Sequence, residues 1–450
     1  MKIVIVGAGR VGLTVARKLA GEDCEIVLVD KDAEVLASAS QELDVMTLRG
    51  NGLRTPILTE AGAPEADLVI AATAGDEGNM LCCLTARRLG ARHTIARVRD
   101  PEYVQELYAL RKELSLSLVV NPEREAAGTI ARVLSFPVAS DVEPFFDGRV
   151  ELAALRLGEG DSLLGKPLAE QMGLVSEKVV FCGAERDGGS LIPDGSYVPR
   201  AGDLVYIIGQ AGQLGAFCKR FGRNASRTLS VFIIGGGRVP YYLSQRLLAA
   251  GMEVKIVESN YDRCLELAEL LPEAVVIHGD GADQKLLETE NLGQYSAMAA
   301  LTGRDEVNLL TAAAAARQGV QKTVARISRE GYDAVVRDLG IDTVIRPETL
   351  AAAQVVRYAR AMKNAQGNQA LTLYQLTGDL EAMEFVVEAA TPHLGKPLKN
   401  GVFRRDCLAA AILRGGQVRI PNGDDALMLG DKLVVVTNRR GSSTLNDFLL

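Results

Sequence analysis

Short apolar runs alternate with helix-like patterns along the first part of the chain. The runs, rich in β-branched residues, fall at residues 2–6, 25–29, 45–48, 67–71, 94–98 and 117–120. Helical spacing of apolar residues lies between them, notably at 76–89 and 102–114, and again at 123–134 behind Pro122. Because right-handed strand–helix–strand crossovers leave few topologies, this alternation predicts a parallel, doubly wound, Rossmann-like sheet of six strands.

A glycine-rich turn follows the first predicted strand. Gly7, Gly9 and Gly12 are spaced as G-x-G-x-x-G between that strand and a helix, and Asp30 ends the next strand. This order is typical of dinucleotide sites. Gly7 would allow a tight turn, Gly9 the approach of a pyrophosphate, and Gly12 close packing of helix on strand. The amides that open the helix favour phosphate, and Asp30 is placed to bind ribose hydroxyls.

The pattern changes after about residue 141 and then starts again near residue 228. Short β-like runs at 151–157, 178–182 and 204–208, with one short helix at 167–172, indicate a small α+β module. Both parts then recur, which indicates a tandem duplication of a two-lobe unit. We predict nucleotide-binding lobes at 1–124 and 228–348, followed by small lobes at 142–227 and 370–450.

The duplicated residues mark candidate positions for shared chemistry. Thr73 and Thr302 would lie at the carboxyl edge of their sheets, where open α/β sheets bind ligands. Arg97 could counter a phosphate or form a structural ion pair. Helix capping or ligand contact would each account for the acid and the amide that each copy has here, Asp76 with Asn79 and Asp305 with Asn308. The equivalent pairs, 228 or 229 residues apart, are Gly7 and Gly235, Asp30 and Glu258, Thr73 and Thr302, Asp76 and Asp305, Asn79 and Asn308, and Arg97 and Arg326.

Two further motifs leave alternatives open. In the second glycine turn Pro240 stands where the first has Gly12, so the sequence leaves undecided whether the second lobe binds a nucleotide. Residues 160–167 nearly spell a phosphate-binding P-loop, but Pro167 replaces the Ser or Thr that would hold Mg²⁺. We interpret this stretch, including the LGKPL run at 164–168 that recurs at 394–398, as a loop opening a short helix.

The composition excludes several classes of protein. A formal net charge of −7 argues against nucleic acid or an anionic membrane surface as the main partner. The sequence has no long uncharged apolar span and no signal-peptide pattern, which predicts a soluble, cytoplasmic protein. Seven cysteines without CxxC spacing and three scattered histidines predict core cysteines and no metal site.

The duplicated lobes, the repeated LGKPL and the later Gly-Asp pairs resemble the tandem regulator of K⁺ conductance (RCK, also called KTN) family, and within it the peripheral regulators of Trk-type potassium uptake. The resemblance implies a regulatory subunit without catalytic residues, on the inner face of the membrane, that binds NAD⁺ or NADH, or alternatively ATP or ADP. It implies docking on a membrane K⁺ transporter subunit. It also implies a homo-oligomer in which four chains complete a ring of eight units, through helices at 123–134 and 348–362.

The family's nucleotide-contacting pattern carries over to both lobes. In the first lobe the resemblance assigns it to Gly7, Ala8, Gly9, Arg10, Val11, Asp30, Thr73, Ala74 and Arg97. In the second lobe the matching residues are Gly235, Gly236, Gly237, Arg238, Val239, Glu258 and Arg326.

Two other classes of function compete with regulation. A nicotinamide-dependent dehydrogenase would need a positioned acid or base, and the sequence offers only isolated candidates such as His93 and Lys166. A structural adaptor would use the nucleotide only for stability. Asp30 disfavours a 2′-phosphate and so argues against NADP, but it suits the ribose of NAD and ATP alike.

Overall fold

The chain folds into two compact units, each built from one type of lobe. A computed structural model describes residues 1–20, 24–110, 113–172, 176–221, 228–329, 331–364, 370, 372–439 and 444–450. One unit comprises Met1–Ala131 with Leu229–Ala359, and the other comprises Arg132–Thr228 with Arg360–Leu450. Like lobes are therefore grouped together, although each small lobe follows a large one in sequence. The predicted boundary at residue 227 lies outside the described residues.

The first large lobe is a six-stranded parallel sheet in the order β3-β2-β1-β4-β5-β6, which confirms the doubly wound prediction. The strand order reverses between β1 and β4, so a crevice opens at the carboxyl ends of these two strands. Its strands are β1 (Lys2–Val6), β2 (Glu25–Asp30), β3 (Met46–Arg49), β4 (Leu68–Ala71), β5 (His93–Arg97) and β6 (Leu118–Val120). Its helices are α1 (Arg10–Leu19), α2 (Ala33–Glu42), α3 (Thr55–Glu60), α4 (Asp76–Leu89), α5 (Pro101–Leu110) and α6 (Pro122–Ser135).

One helix of this lobe is shorter than predicted. The pattern extended the fifth helix to residue 114, whereas α5 ends at Leu110 and residues 113–115 form a turn. Residues 111 and 112 lie outside the described part. Ser115, the last residue of that turn, adopts a left-handed conformation with φ 56°.

The first small lobe is an antiparallel sheet in the order β10-β9-β11-β8-β7. The sequence pattern did not predict β7, because Pro144 interrupts its apolar run. Pro144 is tolerated because β7 is an edge strand, where a missing amide breaks no central ladder. The elements are β7 (Asp141–Phe145), β8 (Val150–Arg156), α7 (Leu168–Met172), β9 (Val179–Arg186), β10 (Gly189–Leu191), β11 (Leu204–Gly209) and α8 (Ala211–Arg220).

The second large lobe repeats the first, with the sheet order β14-β13-β12-β15-β16-β17. Its strands are β12 (Ser230–Ile234), β13 (Glu253–Glu258), β14 (Val275–His278), β15 (Ala297–Ala300), β16 (Lys322–Arg326) and β17 (Thr343–Ile345). Its helices are α9 (Arg238–Ala249), α10 (Tyr261–Leu270), α11 (Gln284–Thr289), α12 (Asp305–Arg317), α13 (Asp333–Asp338) and α14 (Pro347–Asn364).

The second small lobe keeps the antiparallel sheet, in the order β18-β19-β22-β20-β21. A 3₁₀ turn at Leu398–Asn400 stands where the first copy has α7. Buried side chains of both small lobes, among them Phe145 and Ala411, form one hydrophobic cluster. The strands are β18 (Thr372–Gln375), β19 (Glu381–Val386), β20 (Cys407–Arg414), β21 (Gln417–Arg419) and β22 (Lys432–Thr437).

The repeated Gly-Asp pair of the small lobes has a structural role. The buried Asp203 carboxylate accepts bonds from Arg186 Nε at 2.8 Å and from the Tyr197 hydroxyl at 2.6 Å. Asp431 likewise accepts from Arg414 Nε at 2.8 Å. A buried carboxylate needs such partners, and here it fixes the turn before the last strand of each lobe.

Candidate functional site

The first glycine turn is built as its spacing predicts. Gly7 has φ 104°, and a Cβ on it would lie 2.8 Å from the backbone carbon of Ala72. A Cβ on Gly12 would lie 1.9 Å from the carbonyl oxygen of Gly7. Around Gly9, by contrast, nothing lies within 4 Å of a built Cβ. Two glycines thus allow close backbone packing, and the third leaves its side of the turn open.

Helix α1 presents its amino terminus to this open space. Its N-cap, Gly9, is extended, and the cap has no side-chain hydrogen bond. The amides of the first helical turn have no acceptor within the helix, and the dipole adds partial positive charge there. The helix terminus is therefore suited to bind an anion.

Asp30 is fixed at the rim of the same crevice. Its Oδ2 accepts from Ala8 N at 2.6 Å, and its Oδ1 accepts from Asp32 N at 3.0 Å. Each carboxylate oxygen can accept a further bond. Asp30 can therefore take hydroxyl donors from a ligand without giving up its own partners.

A cavity of about 390 Å³ lies between these groups. Of the predicted residues, Ala8 and Val11 are buried and do not line the cavity. The loop after β3 also lines it, which the sequence reasoning missed. A usable signal was the position of this loop, since it follows a strand at the same carboxyl edge. The predicted residues in the lining are Gly7, Gly9, Asp30, Thr73, Ala74 and Arg97, and the unpredicted polar ones are Lys31 and Asn51.

Arg97 brings positive charge to the cavity. Burial lowers the pKa of its guanidinium from the ordinary value, and the positive charge of nearby Arg99 lowers it further. The carboxylates of Glu123, Asp76 and Glu348 raise this pKa and so offset part of the decrease. Its Nε is buried, with no hydrogen-bond partner among the described residues. A buried donor without a partner is costly, so an anionic ligand in the cavity would gain from it.

Asp76 and Asn79 do not cap α4, so the predicted alternative of helix capping is wrong for them. The N-cap of α4 is Gly75, and the cap has no side-chain hydrogen bond. The buried Asn79 instead accepts from Thr73 N at 2.9 Å and donates to the Arg97 carbonyl at 2.9 Å. Asp76 accepts from the amides of Arg99 and Asp100. These side chains join the ends of β4 and β5 and so position Thr73 and Arg97.

The second lobe repeats this framework. Gly235 has φ 101°, Gly237 is the N-cap of α9, and Val239 is buried. Glu258 accepts from Gly236 N at 2.5 Å, as Asp30 does from Ala8. Asn308 accepts from Thr302 N at 2.9 Å and donates to the Arg326 carbonyl at 2.8 Å.

The glycine turn before Pro240 lies farther from the end of the neighbouring strand than the first turn does. A Cβ on Gly235 would lie 3.2 Å from the Leu301 backbone, compared with 2.8 Å at the equivalent Gly7. Proline is compatible with the first turn of a helix, where amides lack helical acceptors. The loss of the third glycine therefore does not disrupt the start of α9.

A basic side chain also distinguishes the second crevice. Arg263 donates from Nε to the Gly236 carbonyl at 2.7 Å and pairs with Glu266 at 2.6 Å. Val35 stands at the equivalent position of the first lobe. Arg326 lies 3.9 Å from Glu348, so the predicted alternative of an ion pair applies to this copy of the duplicated arginine.

The two large lobes contact each other at the glycine turns. Arg10 forms an ion pair at 3.3 Å with Glu348 of α14, and Arg238 lies 3.7 Å from Asp100. The predicted residues Arg10 and Arg238 thus contact the opposite lobe. Glu348 lies within reach of both Arg10 and Arg326, so one carboxylate connects the two crevices.

Tyr242 makes a further contact between these lobes. Its hydroxyl donates to the Arg99 carbonyl at 3.1 Å and accepts from Asn121 Nδ2 at 3.0 Å. Burial raises the pKa of Tyr242 to about 12, so the hydroxyl keeps its proton at neutral pH. Thr14, the equivalent residue of the first lobe, bonds within its own helix to the Arg10 carbonyl.

The other candidate groups are not among the residues that line the cavity. In the LGKPL loop the amides of Gly165 and Leu168 already donate to backbone carbonyls, so the loop does not form a P-loop. Lys166 is exposed in the small lobe, and His93 bonds Tyr358 at the amino end of β5. Burial lowers the pKa of His93, and the positive charge of Arg87 lowers it further.

Cysteines and acids offer no metal centre within the described residues. No group of three or more His, Cys, Asp or Glu side chains is arranged there to hold a metal ion. None of the seven cysteines forms a disulfide, and burial raises the pKa of Cys82 to about 12. A search of the described helices likewise finds none with the length and apolar character of a membrane span.

Comparisons with known proteins agree with the fold. One family, described as the TrkA-N domain, matches residues 3–122 and 231–347, and another, the TrkA-C domain, matches residues 152–222 and 382–450. A protein of Archaeoglobus fulgidus named Trk system potassium uptake protein TrkA homolog is 32% identical, with 97% of each chain covered.

Two solved structures share the fold. The GsuK channel bound to NAD is 20% identical with a TM-score of 0.63, covering 97% of this chain and 76% of that one. GsuK bound to ADP is 16% identical with a TM-score of 0.52, covering 80% of this chain and 69% of that one. With both TrkA domains present twice over most of its length, the chain belongs to the TrkA family of Trk system potassium uptake proteins.

Proposed function

We propose that this chain is a regulatory subunit that binds an adenine nucleotide in the first crevice and thereby controls a Trk-type membrane K⁺ transporter. The observation that carries the proposal is the cavity beside Gly9. It combines the uncapped helix α1, the fixed carboxylate of Asp30 and the buried, incompletely paired Arg97. Phosphate and ribose groups match these three features.

The proposed ligand is NAD⁺ or NADH, with ADP or ATP as the alternative. Support comes from GsuK, which has the same fold and whose structures contain NAD or ADP. The Asp30 carboxylate would repel a 2′-phosphate, so NADP is not proposed. The Gly235 crevice has the same framework, including Glu258, and is proposed as a second, differently tuned site.

The proposed switch acts through the contact between Arg10 and Glu348. Arg10 is the first residue of α1, so phosphates bound at that terminus would compete with Glu348 for its guanidinium. A nucleotide shifts the arrangement of the lobes only if it binds two arrangements with different affinity. This contact supplies such a difference, because its ion pair is available only without a competing phosphate.

The assembly and location complete the proposal. We propose a peripheral, cytoplasmic ring of four chains, with α6 and α14 contributing to its interfaces, docked on the transporter. The proposal includes no catalysis, since neither His93 nor Lys166 lines the cavity. Steady oxidation of NADH by the purified chain with a small carbonyl substrate would contradict this part.

Reconstitution of K⁺ flux tests the proposal directly. The chain is combined with its transporter in liposomes, and flux is measured with and without NAD⁺, NADH, ADP and ATP. We expect flux to depend on the nucleotide, and Asp30→Ala to weaken binding to the first crevice at least tenfold. Glu258→Ala is the matched control in the second lobe. Equal flux with and without every nucleotide for the wild type would refute the proposal.

A further inference from the structure

The loop after β3 places one amide side chain in the cavity. Asn51, between Gly50 and Gly52, lines the cavity wall. A Cβ on Gly52 would lie 2.2 Å from Val6 Cγ1, so the loop packs tightly against β1. The backbone position of Asn51 is therefore well fixed.

The orientation of the Asn51 amide follows from its hydrogen bond. The Leu53 amide donates to Asn51 Oδ1 at 3.2 Å. An N–H group needs an acceptor, so this contact identifies the oxygen, and Nδ2 is the group left for a ligand. Asn51 accordingly offers hydrogen-bond donors to the cavity.

The second lobe has the same loop with the opposite chemistry. Asp280 lies between Gly279 and Gly281, and a Cβ on Gly281 would lie 2.1 Å from Ile234 Cγ2. The Ala282 amide donates to Asp280 Oδ1 at 2.9 Å. Asp280 therefore has the same local geometry, but its remaining group is a carboxylate oxygen, which only accepts.

The base of a bound nucleotide would reach these positions. If Asp30 binds the ribose and α1 the phosphates, the base lies beyond the ribose, beside the ends of β2 and β3. Asn51 follows β3 by two residues. It is therefore placed to contact the edge of the base.

We propose that the side chain at this position reads the base, so that the two crevices select base edges of opposite polarity. The inference rests on the proposed nucleotide binding. Asn51 donates to ring nitrogens of adenine and equally to the 6-oxo group of a deaminated base. Asp280 accepts from the 6-amino group of adenine. With a 6-oxo group in its place, two hydrogen-bond acceptors would lie opposite each other and repel. The first crevice thus tolerates hypoxanthine, and the second requires adenine.

Nicotinamide hypoxanthine dinucleotide is the probe, since its base has a 6-oxo group in place of the 6-amino group and a proton on N1, and the proposal concerns the contact at position 6. Calorimetry compares the two ligands on Glu258→Ala protein, where the first crevice remains intact. We expect dissociation constants within about threefold of each other. Adding Asn51→Asp to this protein is expected to retain the binding of NAD⁺ and to weaken the binding of the deaminated ligand about tenfold. This is the effect expected when one hydrogen bond is replaced by repulsion. The Asn51→Asp change is nearly isosteric, and Asp280 shows that the loop accepts a carboxylate.

The reciprocal change is made in the second lobe. On Asp30→Ala protein we expect NAD⁺ to bind about tenfold more tightly than the deaminated ligand, and Asp280→Asn to remove that preference. No binding to Asp30→Ala would overturn the assignment of Asp280. If NAD⁺ binds the first crevice but Asn51→Asp leaves the ratio unchanged, base reading by Asn51 is wrong while the proposed function stands. If no nucleotide binds the wild type, both fail.

Discussion

The two large lobes have one topology but different surroundings for a ligand. Their sheets have the same strand order, and Asn79 and Asn308 make equivalent bonds. They differ in the packing of the glycine turn, in the contact between the lobes and in the cavity lining, where Gly12, Thr14 and Asn51 correspond to Pro240, Tyr242 and Asp280. The duplication has therefore kept the groups that hold strands together and the acid at the end of the second strand, and it has varied single positions around the turn, the cavity and the contact between the lobes.

The largest expected effect separates the two glycine turns. Gly12→Ala should destabilise the protein by about 3 kcal/mol, because its Cβ would lie 1.9 Å from the Gly7 oxygen and α1 must move away. Pro240→Ala at the equivalent position should cost less than about 1 kcal/mol, since that turn already accommodates a Cβ. Urea unfolding of both variants measures the difference. Equal losses would show that the second turn is packed as closely as the first.

The shared asparagines should respond alike. Asn79→Ala and Asn308→Ala each remove buried bonds to a threonine amide and an arginine carbonyl, at an expected cost of about 2 kcal/mol. Calorimetric unfolding of each variant gives the comparison. A clear loss in only one lobe would contradict the conclusion that both use the same framework.

Tyr242 tests the asymmetry of the contact between the large lobes. Tyr242→Phe removes the donor to the Arg99 carbonyl and the acceptor for Asn121, and should cost about 1 kcal/mol. Tyr241→Phe is the control, because the Tyr241 hydroxyl bonds only Gln245 of its own helix among the described contacts. Hydrogen exchange of α9 should increase for the first variant only. An equal increase for both would place the effect within the helix.

The smallest expected effect concerns the ion pair between Arg10 and Glu348. The Arg10 side chain is 65% exposed, so Arg10→Ala should change the unfolding free energy by less than about 1 kcal/mol. A double-mutant cycle with Glu348→Ala, at low and high salt, isolates the pair. The coupling should shrink as salt rises and when nucleotide is present. A coupling that nucleotide leaves unchanged would remove Arg10 from the proposed switch.

Sequence patterns predicted most of the fold because their signals are local. Apolar runs, the glycine spacing and the acid at residue 30 each depend on neighbouring residues, and the duplication provided an internal check. The edge strand β7 was missed because Pro144 breaks its apolar run, and α5 was predicted too long because apolar periodicity does not mark the turn at residues 113–115. The role of Asn79 was misjudged because one of its partners, the Arg97 carbonyl, lies at the end of the next strand, β5.

The sequence by itself determined the doubly wound topology, the repeat and the chemistry of the first glycine turn, because strand, turn and helix preferences act over a few residues. Only the tertiary structure decided that like lobes group together, that Asn51 lines the cavity and that Arg10 meets Glu348. These contacts join segments far apart in the chain. Local preference says nothing about such pairs, which packing of the whole unit brings within hydrogen-bond distance.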